Sequence, residues 1–176
     1  MNKDFFMPII VLSLICLFVS GALAVVNNVT LPKIEADAAA RAKDEMGKIM
    51  PLADEFIEIV NINNLPRTIT GIFKANNAGD TLGYLFMISS PGYGGDINII
   101  CGVDNNGRII KTQVLSHTET KGMTDPVFED SHQSKYIGKD KMLDGIDAIT
   151  GATVSSNAYK NGIRDSLTAF EIITSK

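Results

Sequence analysis

The chain has no tryptophan and only two histidines and two cysteines among its 176 residues. Two cysteines exclude a disulfide framework and a four-cysteine metal site. Cys16 lies in an apolar run and Cys101 in a predicted strand, so no bridge between them is expected. With His117 and His132 as the only imidazoles, a histidine-rich metal centre is disfavoured, and no metal is expected. The zincin pattern and the G-x-x-x-x-G-K-[ST] phosphate loop are both missing, which argues against metalloprotease and P-loop chemistry. Basic side chains are in deficit, 16 against 20 acidic, for a net charge of −4. Phosphate-backbone binding normally shows as a basic excess, so nucleic acid is not an expected partner. Low-complexity tracts are absent too, and 45% hydrophobic residues against 20% charged is the composition of a folded chain.

What hydrophobicity there is gathers at one end. Phe5 to Val26 carries no charged residue. At about 1.5 Å rise per residue that run covers roughly 33 Å, enough to cross a bilayer. Two readings fit it. Ala22-Leu23-Ala24 has the small-x-small form of a signal-peptide cleavage site. The stretch is longer than a usual signal core, however, and only Lys3 stands before it, which favours a retained anchor over residues 1–26. Ile15 before Cys16 excludes lipoprotein processing there. Lys3 on one side and Lys33, Arg41 and Lys43 on the other give no firm vote on orientation. Either reading allows the rest of the chain to sit outside the cytoplasm. That remainder, roughly 150 residues, is enough for a sizeable core.

Lys33 to Asn61 shows apolar residues mostly three and four apart, which predicts a helical stalk over 27–66, kinked or divided at Pro51. Residues 67–176 then form the expected domain. Arg67 to Lys74 predicts a strand and Asn76 to Asp80 a turn. Leu82, Tyr84, Phe86 and Ile88 alternate, as do Ile97, Ile99, Cys101 and Val103. Asp104-Asn105-Asn106-Gly107 is a hairpin signal, because Asn and Gly tolerate positive φ, and Arg108 to Ser116 is the partner strand. Thr118 to Ile146 is irregular, with a short helix near Pro126 to Gln133. A last helix runs from about Thr153 to Ser175 with Ala158, Tyr159, Ile163, Leu167, Phe170 and Ile173 on one face. The expected class is α+β: an N-terminal transmembrane helix, then an antiparallel sheet packed with helices.

The most informative segment is Asp147-Ala148-Ile149-Thr150-Gly151-Ala152-Thr153-Val154-Ser155. It places small residues, three hydroxyls and a glycine just ahead of a helix. Helix N-termini carry free N–H groups and a partial positive charge, and so favour phosphate. Gly151 and Ala152 would let a bulky group approach the backbone. The plain alternative is a helix cap supplied by Thr150, Thr153 or Ser155, with nothing bound.

This segment resembles the flavinylation motif of the FMN-binding domain family, Asp-x-x-[Ser/Thr]-Gly-Ala-Thr-x-[Ser/Thr], at every defined position. Two further loops resemble the same family. Gly92-Tyr93-Gly94-Gly95-Asp96-Ile97 is similar to its Gly-Tyr-Gly-Gly-x-Ile loop. His117-Thr118-Glu119-Thr120-Lys121-Gly122-Met123-Thr124 is similar to its His-x-Glu-Thr-Pro-Gly-Leu-Gly loop, with Lys121, Met123 and Thr124 as departures. The layout is most similar to the G subunits of Rnf electron-transport complexes and the related C subunits of sodium-translocating NADH:quinone reductases.

The resemblance implies covalent FMN, joined through a phosphoester to Ser155, where threonine is the more familiar acceptor. It implies that Thr150, Gly151, Ala152 and Thr153 shape the phosphate loop. Asp147 would aid recognition by a flavin transferase that draws on flavin adenine dinucleotide and a divalent metal. Tyr93, His117, Glu119 and Thr120 would approach the flavin ring. The function implied is a single-pass, membrane-bound electron carrier with an extracytoplasmic flavin domain. It would serve as a redox subunit, not catalytic alone, beside other membrane subunits that couple ferredoxin and NAD chemistry to sodium or proton movement. Two other readings remain: a membrane-tethered structural or binding module without flavin, and a stand-alone flavoprotein electron carrier.

Overall fold

The computed structural model describes residues 3–175, apart from the side chains of residues 3–6 and 35. Residues 1, 2 and 176, at the ends of the expected anchor and domain, lie outside it. The chain divides into two compact units, residues 1–41 and 42–176.

The first unit is helix, the greater part of α1 (Lys3–Ile49). Its side chains from Met7 to Ile34 are exposed all round, including Phe18 at 79%. A helix apolar on every side has no polar face to turn to water. Among the described residues it is the one helix long and apolar enough to cross a membrane.

The second unit is built on five antiparallel strands in the order β1-β2-β3-β4-β5. These are β1 (Glu55–Glu58), β2 (Ile69–Asn77), β3 (Asp80–Pro91), β4 (Asp96–Asp104) and β5 (Ile109–His117). The short helices α2 (Asp125–Phe128) and α3 (Asp130–Gln133) follow, and α4 (Thr153–Thr174) closes the chain. The α+β class and the meander from β2 to β5 agree with the sequence reading. The hairpin at Asp104 forms as its chemistry requires: the Asp104 carboxylate accepts the N–H groups of Asn106 and Arg108, each at 2.8 Å.

The expected helix over Lys33 to Asn61 stops at Ile49. Pro51 disfavours helical backbone in the residue before it and has no N–H to donate. Beyond it, Glu55–Glu58 pairs with β2, Phe56 opposite Ala75, as an edge strand. The apolar spacing of Phe56, Ile57 and Val60 therefore belongs to a strand and loop and not to a stalk.

Both faces of the sheet are covered. Phe86, Ile88, Ile97, Ile99, Cys101 and Val103 face α4 through Tyr159, Ile163, Leu167 and Phe170. Leu85 and Ile100 point the other way, onto Met46, Ile49 and Met50 at the end of α1. A side chain at Gly102 would collide with Ile49 Cγ2, so a bare backbone there is what lets the helix end dock. Ser90 donates to the Ala158 carbonyl at 2.7 Å, which fixes the first half of α4 against β3.

A buried aromatic cluster braces the same face. His132, Tyr136 and Tyr159 meet edge to face, with ring centroids 5.2 to 6.1 Å apart. The Tyr159 hydroxyl donates to Thr112 Oγ1 at 2.8 Å, whereas neither His132 ring nitrogen has a partner. Burial, aided by the Lys135 charge, holds the His132 pKa below its ordinary 6.5. The folded state therefore keeps His132 neutral where the unfolded chain takes up a proton. That contribution to stability is present above pH 6.5 and is lost as pH falls through the folded value. The melting temperature should accordingly drop between pH 7 and pH 5, and His132→Phe should shrink that drop. Equal drops in both proteins would show that His132 does not carry the effect.

Candidate functional site

Three connections converge at one end of the sheet. The β3–β4 loop (residues 92–95) lies beside the segment that follows β5 (residues 118–124), since Ile97 pairs with His117 at the adjoining strand ends. The stretch leading into α4 completes the group. Between them is a cleft of about 310 Å³ lined by Tyr93, Thr120, Met123, Thr124, Gly151, Ala152, Thr153, Val154 and Ser155. That volume falls at the lower end of the range usual for small-molecule sites.

The wall at the start of α4 is a tight turn. The Ala152 N–H donates to the Ile149 carbonyl at 3.0 Å, and Gly151 takes φ +85°. A turn that needs positive φ at its third position calls for glycine. The space in front of Gly151 is open. Ser156 Oγ accepts the Ile149 N–H at 3.1 Å and pins the turn from behind. Ala152 is the N-cap residue and no side chain caps the helix, so Thr150, Thr153 and Ser155 do not perform that role. No acidic side chain occupies the first turn either. Within α4 itself nothing offsets the partial positive charge that its amide end presents.

Ser155, at 1% exposure, forms part of the cleft floor. Its hydroxyl donates to Glu119 Oε2 at 2.7 Å. The other carboxylate oxygen, Oε1, accepts the Gly94 N–H at 3.0 Å. Glu119 is itself only 6% exposed, and its carboxylate is held by two donors, one from the β3–β4 loop and one from the first turn of α4. A Cβ on Gly92 would run into Glu119 Oε1, which makes glycine a steric requirement of this arrangement. Thr118 Oγ1 donates to the Gly94 carbonyl at 3.1 Å and ties the same two loops a second time.

The cleft brings together five of the residues singled out in the sequence, Tyr93, Thr120, Gly151, Ala152 and Thr153, with Ser155 as a sixth. Glu119 reaches it from beneath. Thr150 and Asp147 are exposed and outside its lining. His117 is outside it too, stacked on Phe128 with ring centroids 4.1 Å apart and its buried Nδ1 unpartnered. Sequence reasoning missed Met123, Thr124 and Val154. Thr124 is buried and donates to the Thr120 carbonyl at 2.9 Å, holding the loop's curvature. Its place in the departed loop motif was the available signal.

Residues 92–168 match the FMN-binding domain family. The match spans all three connections of the cleft and most of α4. Along most of its length the chain is also similar to the G subunits of ion-translocating oxidoreductase complexes. The G subunit from Stutzerimonas stutzeri is 28% identical, covering 86% of this chain and 75% of the relative. That from Shewanella piezotolerans is 29% identical over 93% and 88%. The G subunit of the proton-translocating ferredoxin:NAD(+) oxidoreductase complex from Clostridium ljungdahlii is 27% identical over 85% and 83%.

The residues present suit such a nucleotide. A hydroxyl and a helix start without a side-chain cap stand beside open space before Gly151, where backbone N–H groups can meet a phosphate. Tyr93 and Met123, 77% and 59% exposed, offer apolar faces above them. The geometry also makes a stability claim. Gly92→Ala should destabilise the domain by about 1–3 kcal/mol, because its methyl must displace Glu119 or the loop. Urea unfolding measures this, and a wild-type midpoint would show that the Gly92–Glu119 contact is not tight.

Proposed function

We propose that this protein is an electron-transfer subunit of a membrane-bound, ion-translocating oxidoreductase of the Rnf type, carrying FMN through a phosphoester on Ser155. The observation that carries the proposal is Ser155 in the lining of the cleft, at the uncapped start of α4, within the segment matched to the FMN-binding domain.

In this reading α4 offsets the phosphate charge and the Thr150-Gly151-Ala152-Thr153 turn gives the phosphate room. Tyr93, Thr120 and Met123 flank the ring, and Asp147, exposed ahead of the turn, is available to a flavin transferase. Bound FMN supplies one- or two-electron transfer; the protein positions it and tunes its surroundings. A covalent tether keeps the flavin in place in every redox state while it faces a partner.

The N-terminal helix serves as a retained single-pass anchor with the flavin domain outside the cytoplasm. Phe5 to Val26 has no charged residue, so the anchor offers no ion path of its own. Ion movement, NAD binding and iron–sulfur clusters then belong to partner subunits.

Intact-mass measurement of the denatured chain from its native membrane tests the proposal. A gain of roughly 440 Da, on a peptide containing Ser155 and absent from Ser155→Ala, is expected. An unmodified wild-type mass from cells that contain the transferase would remove the covalent flavin. A gain that persists in Ser155→Ala would move the attachment elsewhere.

A further inference from the structure

We infer that Glu119 is the proton acceptor for attachment of flavin to Ser155. The inference rests on the reading of Ser155 as the attachment site and assigns a catalytic role for that modification to this chain itself, rather than to the transferase alone.

A serine hydroxyl is a weak nucleophile unless an adjacent base removes its proton as the new bond forms. The geometric criterion for such a base is a heavy-atom distance of about 2.6–3.2 Å. Glu119 Oε2 meets it at 2.7 Å, and it is the acceptor of the Ser155 hydroxyl. The carboxylate is prevented from turning away. Oε1 is held by the Gly94 N–H at 3.0 Å and fills the space that a side chain on Gly92 would need. A serine whose hydroxyl simply capped the helix would accept from a backbone N–H; Ser155 donates to a carboxylate.

The step balances as follows. Ser155 Oγ attacks the phosphorus on the flavin side of flavin adenine dinucleotide, forming a new P–O bond. The bond from that phosphorus to the bridging oxygen breaks, and adenosine monophosphate leaves with the electron pair. The hydroxyl proton passes to Glu119 Oε2. No oxidation or reduction occurs. The product places a phosphodiester anion beside a nearly buried carboxylate. Retaining the proton turns a like-charge clash into a hydrogen bond donated by Glu119.

The test uses the full-length chain in detergent with purified flavin transferase, excess flavin adenine dinucleotide and magnesium. Mass gain is followed against time, and folding is checked by circular dichroism. Glu119→Gln, which retains shape and one acceptor oxygen, should be modified about 100-fold more slowly than wild type. Glu119→Asp should fall between the two. Added formate should restore part of the rate to Glu119→Ala, which a merely structural role would not produce. A folded Glu119→Gln modified at the wild-type rate overturns the assignment. If that variant does not fold, wild-type kinetics in Glu119→Asp overturn it equally, since the shorter side chain withdraws the oxygen from Ser155. A wild-type chain that gains no mass overturns the attachment reading itself, which separates its failure from that of Glu119.

Discussion

The arrangement of the site depends on one hydrogen bond between distant parts of the chain, from the Ser155 hydroxyl to Glu119 Oε2 at 2.7 Å. One partner stands in the first turn of α4 and the other in the segment after β5, 36 positions earlier in sequence. Their meeting requires that α4 lie across the sheet at a particular height. That height is set by the Ser90–Ala158 bond and by the packing of Tyr159 and Ile163 on β3 and β4. The hydroxyl is thereby taken out of local competition with the helix backbone, which is the usual fate of serine near a helix start.

The sheet can supply so rigid a platform because it is buried on both sides. Interior strand β4 carries Ile97, Ile99, Cys101 and Val103 on one face and Ile100 on the other, all fully buried. Burial pushes the Cys101 thiol up to about 12, so it behaves as a packed apolar group rather than a reactive one. Loops at the end of such a sheet inherit its rigidity while remaining open to solvent. Buried Glu119 and exposed Tyr93 can therefore sit within one small site.

Much of this was legible from residues alone. Strict alternation marked β3 and β4, the Asp104–Gly107 chemistry marked the hairpin, and the period of Tyr159, Ile163, Leu167 and Phe170 marked the buried face of α4. The failure at residues 50–61 is equally instructive. Phe56, Ile57 and Val60 satisfy a helical spacing over so few residues that it does not discriminate, and Pro51 outweighed it. A four-residue edge strand has almost no periodic signal, and its existence depends on a neighbour, β2, that only the fold places beside it. At the site, the motif singled out Ser155 and its turn. It did not say that Thr150 lies outside the cleft's lining or that His117 stacks on Phe128 instead of lining it.

By itself the sequence determined the apolar N-terminal helix, the antiparallel meander, the glycine turn before α4 and the identity of the hydroxyl. Each is decided by short-range physics: unbroken apolarity, alternation, and backbone dihedrals that glycine adopts and other residues resist. The tertiary structure alone decided what that hydroxyl touches. Hydrogen-bond partners are chosen by which loops the packed core brings within 3 Å or so of one another, and no local pattern encodes that distance. The same residues could spell a helix cap, and it is the position of Glu119 that draws the Ser155 hydroxyl away from that role.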